Sequence, residues 1–324
     1  MKAWRVAVAA LFAAGCVSFP DAPRKLRAPA IEGDALVASD GTRLPLRLSA
    51  PDNAAIVVVA LHGMNDYSNA WTTPSEQWGE RGIAVLAYDQ RGFGANADSG
   101  RWPGSAALRA DLRDAIAAAR AQFPRAPVFA VGHSLGAAVI LSAMGEAPLD
   151  VDGVILAAPG VWGGSQLPIA YRATANIAAT FAPGKTLTGE RTDRQASDNI
   201  AALRALYEDP LVIKATRLDA ILGAVRLMGE AYDASDEAGG EILLQFGARD
   251  EIIPPRSMMK AGDRLCGDVA IKRYDANWHL LYRDLDGATP LREAADWMLA
   301  RANDEPQAGL IRAGPAALAC AVRH

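Results

Sequence analysis

Histidine and cysteine are scarce in this sequence, four of the one and three of the other in 324 residues. Neither clusters at metal-ligand spacing and no H-E-x-x-H run occurs, so no metal site announces itself. No G-x-G-x-x-G follows the first core-like strand, which argues against a bound dinucleotide. Dense Lys/Arg tracts are missing as well. With a formal net charge of −4 the chain has no general attraction for phosphates, and nucleic acid is not an expected partner. Internal repeats are absent, as is any low-complexity tract beyond alanine richness. Charged residues make up 22% of the chain against 51% hydrophobic, a balance that buries a large core and does not favour disorder. A chain of this length suits one α/β core carrying an insertion.

The first residues differ from all that follow. Lys2 and Arg5 are positive, residues 6–15 are uncharged and apolar, and the small Ala13, Ala14 and Gly15 precede Cys16. The apolar run is too short to span a bilayer and has the form of a secretory signal. Small residues running into cysteine resemble a bacterial lipobox. On that reading residues 1–15 are removed and Cys16 becomes a lipidated N-terminus on a tether, residues 16–33. The protein would then be exported to the envelope of a bacterium and held by its lipid at a membrane, facing the periplasm. An ordinary cleaved signal with an incidental cysteine is the other reading. Cys266 and Cys320 remain, either as a disulfide permitted by that compartment or as two unrelated thiols.

Residues 34–303 carry the pattern of a folded domain, with 304–324 as a C-terminal tail. Residues 35–39 and 43–49 are strand-like and flank Asp40-Gly41, a hairpin turn pair. From there apolar, β-branched runs recur at residues 56–61, 83–88, 128–131, 154–157, 242–246 and 269–274. Strands of this kind are covered on both faces. Helical segments separate them, the clearest at 105–123 with Leu108, Leu112, Ile116, Ala119 and Phe123 on one face. Alternating strand and helix predicts a mostly parallel central sheet flanked by helices. The interval from Pro159 to Glu241 is far longer than an ordinary connection. It predicts a helical cap over about 160–235, inserted after the sixth strand, with helices near 167–181, 197–207 and 217–232. Their apolar residues either line a substrate entrance or pack the cap onto the core.

Gly132-His133-Ser134-Leu135-Gly136 lies between a strand and a helix-compatible run. That is the setting of a nucleophile elbow, where small residues let backbone pass closely and the hydroxyl projects above the sheet. A serine hydroxyl needs a base within hydrogen-bond reach, and the base needs an acceptor that fixes its tautomer. His62 follows a core strand, His133 adjoins the serine and His324 is terminal. His279, in Asn277-Trp278-His279-Leu280 after the last strand, is the candidate base. Asp250, in Gly247-Ala248-Arg249-Asp250, is the candidate acid, giving the chain order Ser, Asp, His. Asp275 and Asp284 are nearer in sequence, but one ends the same strand and the other begins the next helix-like segment. Oxyanion donors are worth about 3 kcal/mol each. The expected pair is the backbone N–H of Leu135 and that of Met64, in His62-Gly63-Met64-Asn65. His62 itself is expected to prop that turn.

These segments, together with Tyr88-Asp89-Gln90-Arg91-Gly92-Phe93-Gly94 and Asp209-Pro210-Leu211, resemble the monoacylglycerol lipase and lysophospholipase branch of the α/β-hydrolases. That branch is also grouped with serine aminopeptidase-like hydrolases. The resemblance covers about residues 44–300. It implies the α/β-hydrolase fold, ester hydrolysis through an acyl-enzyme, a cap shaping an acyl tunnel, and no cofactor. Asp89 to Gly94 is expected to stabilise the loop after its strand. The implied partner is a small-molecule ester or lipid substrate. Two alternatives stand beside ester hydrolysis: an amidase or aminopeptidase using the same triad, and a non-catalytic envelope binding protein that retains the fold.

Overall fold

The computed structural model describes residues 17–188 and 194–303. The expected signal 1–15, Cys16 and the tail 304–324 with Cys320 lie outside the described residues. Cys266 is disulfide-bonded, and the other two cysteines of the chain are among the residues not described.

The leading hairpin carries one strand more than its sequence announces. Ala30–Glu32 (β1) pairs antiparallel with Ala35–Val37 (β2), and β2 with Arg43–Ser49 (β3). Gly33 turns the chain between β1 and β2 at φ 65, a left-handed conformation that costs glycine no Cβ clash. β1 has only three half-buried residues and no alternating pattern, so the partner strand makes it visible and the sequence does not. It falls within the stretch expected to be tether.

Next come Ile56–Leu61 (β4), Ile83–Tyr88 (β5), Val128–His133 (β6) and Gly153–Ala157 (β7). The cap follows β7, the strand counted sixth from the sequence and seventh once β1 is included. It holds Thr186–Thr188 (β8) and Ala215–Arg217 (β9), an antiparallel ribbon that the all-helical expectation lacked. Gly239–Gly247 (β10) and Cys266–Tyr274 (β11) complete the main sheet. Among the described residues this sheet has nine strands in the order β1-β2-β3-β5-β4-β6-β7-β10-β11. β5, β4, β6, β7, β10 and β11 are mutually parallel.

Successive side chains of a strand point to opposite faces, and β4 uses both. Ile56, Val58 and Ala60 join Trp71, Trp78, Leu291 and Trp297 in one cluster. Val57, Val59 and Leu61 join Leu108, Leu112, Ile116 and Val139 in the other. The first cluster is covered by Thr72–Gly79 (α1) and, near the C-terminus, Ala288–Ala302. The second is covered by Ser105–Gln122 (α2) and Leu135–Glu146 (α3). This two-faced burial explains why the strand runs are continuously apolar. The cap helices are Ile169–Phe181 (α4), Ile200–Glu208 (α5) and Leu218–Ala234 (α6), and α6 packs on α3. Pro255–Gly262 (α7) precedes β11, and Ala288–Ala302 is α8.

Candidate active site

Parallel strands end on one edge of a sheet, and the loops that follow them gather there. Ser134 follows β6, Asp250 follows β10 and His279 follows β11, so three residues distant in sequence share that edge. Ser134 holds φ 52 and ψ −110 between β6 and α3, backbone angles an L-residue keeps only under constraint. Its N–H donates to Ala157 O at 2.9 Å, and its carbonyl accepts from Gly160 N–H at 2.9 Å. A Cβ on Gly132 would stand 2.5 Å from Ala137 N, and one on Gly136 2.3 Å from Leu61 O. Close backbone approach therefore demands both glycines.

The imidazole of His279 lies between the other two side chains. Nε2 is 2.9 Å from Ser134 Oγ and Nδ1 is 2.7 Å from Asp250 Oδ2. A carboxylate only accepts, so Nδ1 carries the proton and Nε2 is left to accept from the hydroxyl. Asp250 is buried, and its Oδ1 accepts the N–H groups of Ile252 and Ile253 at 2.8 Å each. The carboxylate is thus held from both oxygens. β10 and β11 are neighbours, and their following loops touch: Ala248 N–H donates to Tyr274 O at 2.8 Å and Arg249 N–H to Asn277 O at 3.0 Å. A Cβ on Gly247 would meet Asn277 O at 2.3 Å, which accounts for the glycine before the acid.

Leu135 opens α3, where the first N–H groups have no intrahelical acceptor. Met64 lies in the turn after β4, and β4 pairs with β6 so that Leu61 stands opposite Gly132. A Cβ on Gly63 would lie 3.1 Å from His133 Nδ1 and 3.5 Å from Ser134 Cβ. The two turns with the expected oxyanion donors are therefore adjacent, and both border the serine. His62 serves this architecture. Its Nε2 accepts from Gln90 N–H at 2.9 Å, so Nδ1 carries the proton and donates to Gly63 O at 2.8 Å. Burial lowers its basicity and keeps the ring neutral. Asp89 accepts from Ser68 N–H at 2.9 Å and Ala95 N–H at 2.8 Å. Arg91 forks onto Asp111 at 3.0 and 2.7 Å and reaches Asp40 at 3.0 Å. Both stabilise the loop after β5.

Other contacts at the site are not legible in the sequence. His133 was only the residue beside the serine, yet its Nε2–H donates to His279 O at 2.9 Å. Burial, followed by the neighbouring His279, pushes His133 down to about 4. Tyr67 OH donates to Asp209 Oδ2 at 2.8 Å and Ile213 N–H to Asn65 O at 2.9 Å, tying the Met64 turn to the cap. Asp209 belongs to the Asp209-Pro210-Leu211 motif, which the sequence offers only as part of the family resemblance. Arg283 pairs with Asp66 at 2.8 Å, joining the same turn to the histidine loop. Asp66, Trp71, His133 and Arg283 line a small pocket whose wall does not include Ser134.

A curated monoacylglycerol lipase from Mycolicibacterium smegmatis is similar, 23% identical over 264 residues that cover 80% of this chain and 94% of that protein. A monoglyceride lipase from Rattus norvegicus is 22% identical over 273 residues, covering 81% and 89%. The crystal structure of Paleococcus ferrophilus monoacylglycerol lipase superposes with a TM-score of 0.69 at 21% identity, covering 80% of this chain and all of that one. This last likeness is one of fold, the α/β-hydrolase fold. Residues 52–286 match the family described as Serine aminopeptidase, S33. That span begins ahead of β4 and holds Met64, Ser134, Leu135, Asp250 and His279, so the chain belongs to the serine aminopeptidase S33 family of hydrolases.

Proposed function

We propose that the chain is a serine hydrolase of carboxylic esters, acting on monoacylglycerol-like or lysophospholipid-like lipids through an acyl-enzyme on Ser134. The observation that carries the proposal is the imidazole of His279, in hydrogen-bond reach of Ser134 Oγ on one side and Asp250 on the other. In the forward step Oγ attacks the ester carbonyl carbon while its proton passes to His279 Nε2. Asp250 balances the imidazolium without taking the proton. The oxyanion forms between the N–H groups of Leu135 and Met64. Collapse expels the alcohol, which leaves with the proton from Nε2. Water, deprotonated by the same nitrogen, then releases the acid and restores Ser134.

Support for a lipid substrate comes from the likeness to monoacylglycerol lipases and from the exposed apolar residues of α4, Ile169, Tyr171, Ile177 and Phe181. The family description favours a second reading, hydrolysis of aminoacyl amides by the same residues. p-Nitrophenyl esters of graded chain length beside aminoacyl arylamides separate the two. Intact-protein mass after fluorophosphonate treatment tests the nucleophile. A single adduct on the parent chain and none on Ser134→Ala is expected. An unlabelled parent chain would leave a non-catalytic binding protein as the reading.

The anchor at Cys16 belongs to the same proposal. Val17 O accepts from Arg226 Nη1 at 2.6 Å, and Phe19 packs against Trp102 at 6.3 Å between ring centroids. Arg226 belongs to α6, so Val17 and Phe19, among the first described residues after the proposed anchor, are held against the cap and its neighbouring loop. Incorporation of radiolabelled fatty acid is expected in the parent and not in Cys16→Ser; label retained by the variant refutes the assignment.

A further inference from the structure

We propose that residues 195–199, where the cap returns toward the core, fasten the loop carrying His279, with Ser197 and Asp284 as positioning residues for that histidine. The inference rests on the reading of His279 as the base. Sheet geometry creates the need. β11 is separated from β6 by β10 and β7, three strand spacings or roughly 14 Å. His279 meets Ser134 only because residues 275–287 fold back across the sheet edge. A loop doing so needs anchors beyond its own strand.

Its anchors sit on the peptide groups flanking the imidazole. Trp278 N–H donates to Asp284 Oδ2 at 2.6 Å, His279 O accepts from His133 at 2.9 Å, and Leu280 N–H donates to Ala196 O at 2.8 Å. Only the His133 contact comes from the nucleophile elbow. The other two lead to the cap segment. Asp284 Oδ1 accepts from Ser197 Oγ at 2.6 Å, Asn199 Nδ2 donates to Arg283 O at 2.9 Å, and Leu285 N–H donates to Asp198 Oδ1 at 2.9 Å. Gln195 N–H also reaches Glu251, the residue after the acid, at 2.7 Å. Ser197 and Asp284 are 0% and 5% exposed, so water does not compete for their bond. Asn199 continues the connection into the cap, because its side chain accepts from Ala202 N–H and caps α5. One short segment thus joins a cap helix to both the base loop and the acid loop.

Three variants test this. Asp284→Ala removes the acceptor of Trp278 N–H and of the Ser197 hydroxyl. Asp284→Asn keeps an acceptor for Trp278 and presents an N–H to the serine oxygen. Ser197→Ala removes one hydroxyl and keeps the test available where Asp284→Ala does not fold. Two readouts are taken: fluorophosphonate acylation of Ser134, split into half-saturation and limiting rate, and solvent exchange of the low-field His279 Nδ1 proton. The limiting rate should fall about 30-fold in Asp284→Ala and about fivefold in Ser197→Ala, and stay within about twofold of the parent in Asp284→Asn, since small misplacement of a base costs rate and not binding. The Nδ1 proton should exchange faster in the same order. Adding Ser197→Ala to Asp284→Ala should cost less than Ser197→Ala alone, because both break the Ser197–Asp284 link and only the contact of Asn199 N–H with the serine oxygen remains to be lost. Parent limiting rates and parent exchange in Asp284→Ala or Ser197→Ala overturn the proposal, as does a loss confined to half-saturation. Proton exchange needs no turnover, so a parent chain that hydrolyses no ester would sink the proposed function and leave this measurement standing.

Discussion

Gly136 is kept free of a side chain by one carbonyl: the oxygen of Leu61 stands where a Cβ would point, at 2.3 Å. Relief would require shifting β4 against α3 in the middle of the core. Gly136→Ala is therefore expected to lose about 1–3 kcal/mol, typical of overpacking, seen as a lower urea midpoint. An unchanged midpoint would contradict the contact. His133 makes a prediction of a different kind. An unfolded histidine takes up its proton near 6.5, whereas buried His133 holds off until about 4. Between those values the unfolded chain binds more protons. The stabilising contribution of neutral His133 is complete above 6.5 and declines as pH falls toward 4. Buried His62, lowered as well, acts in the same direction. His133→Gln keeps an N–H for His279 O and does not titrate. Its melting temperature should fall less than the parent's between about pH 7 and pH 5, and equal falls would remove His133 from the account.

Among elements, the turn after β4 is shared between core and cap. Its inner side borders Ser134, while Tyr67 and Asn65 are bonded to residues 209 and 213 of the cap. Tyr67→Phe breaks the bond to Asp209 and leaves the ring in place. A net loss of about 1 kcal/mol for one such bond predicts a severalfold slower acylation of Ser134 with little change in melting temperature. An acylation rate equal to the parent's would show that the turn holds its shape without the cap. The elements most legible in the sequence were those whose pattern is local. β4 and β5 announce themselves by apolar residues without interruption, and α2 by Leu108, Leu112 and Ile116 recurring at helical spacing. β1, β8 and β9 are three residues each, too short for any period to show. They exist because a partner strand supplies hydrogen bonds that their own sequence does not specify.

For the molecule as a whole, the cap presents apolar surface outward. Ile169, Tyr171, Ile177 and Phe181 on α4 are 77, 70, 60 and 68% exposed, more than scattered surface residues explain. On the proposed function this surface meets lipid. Phe181→Asp should hydrolyse soluble p-nitrophenyl acetate within about twofold of the parent and act severalfold more slowly on monoacylglycerol in micelles, as expected for lost apolar contact. Equal losses on both substrates would place the defect in the core. The sequence by itself determined the identities at the elbow, the order Ser, Asp, His along the chain, the parallel sheet and the place of the cap. Each follows from spacing within a few residues or from one unbroken run. Only tertiary structure decided that Ser134, Asp250 and His279 share one edge, and that Ser197 meets Asp284 across 87 positions. Strand order and register settle such meetings, because they arise from burying both faces of the sheet at once, and no local pattern encodes which distant loops the packing brings together.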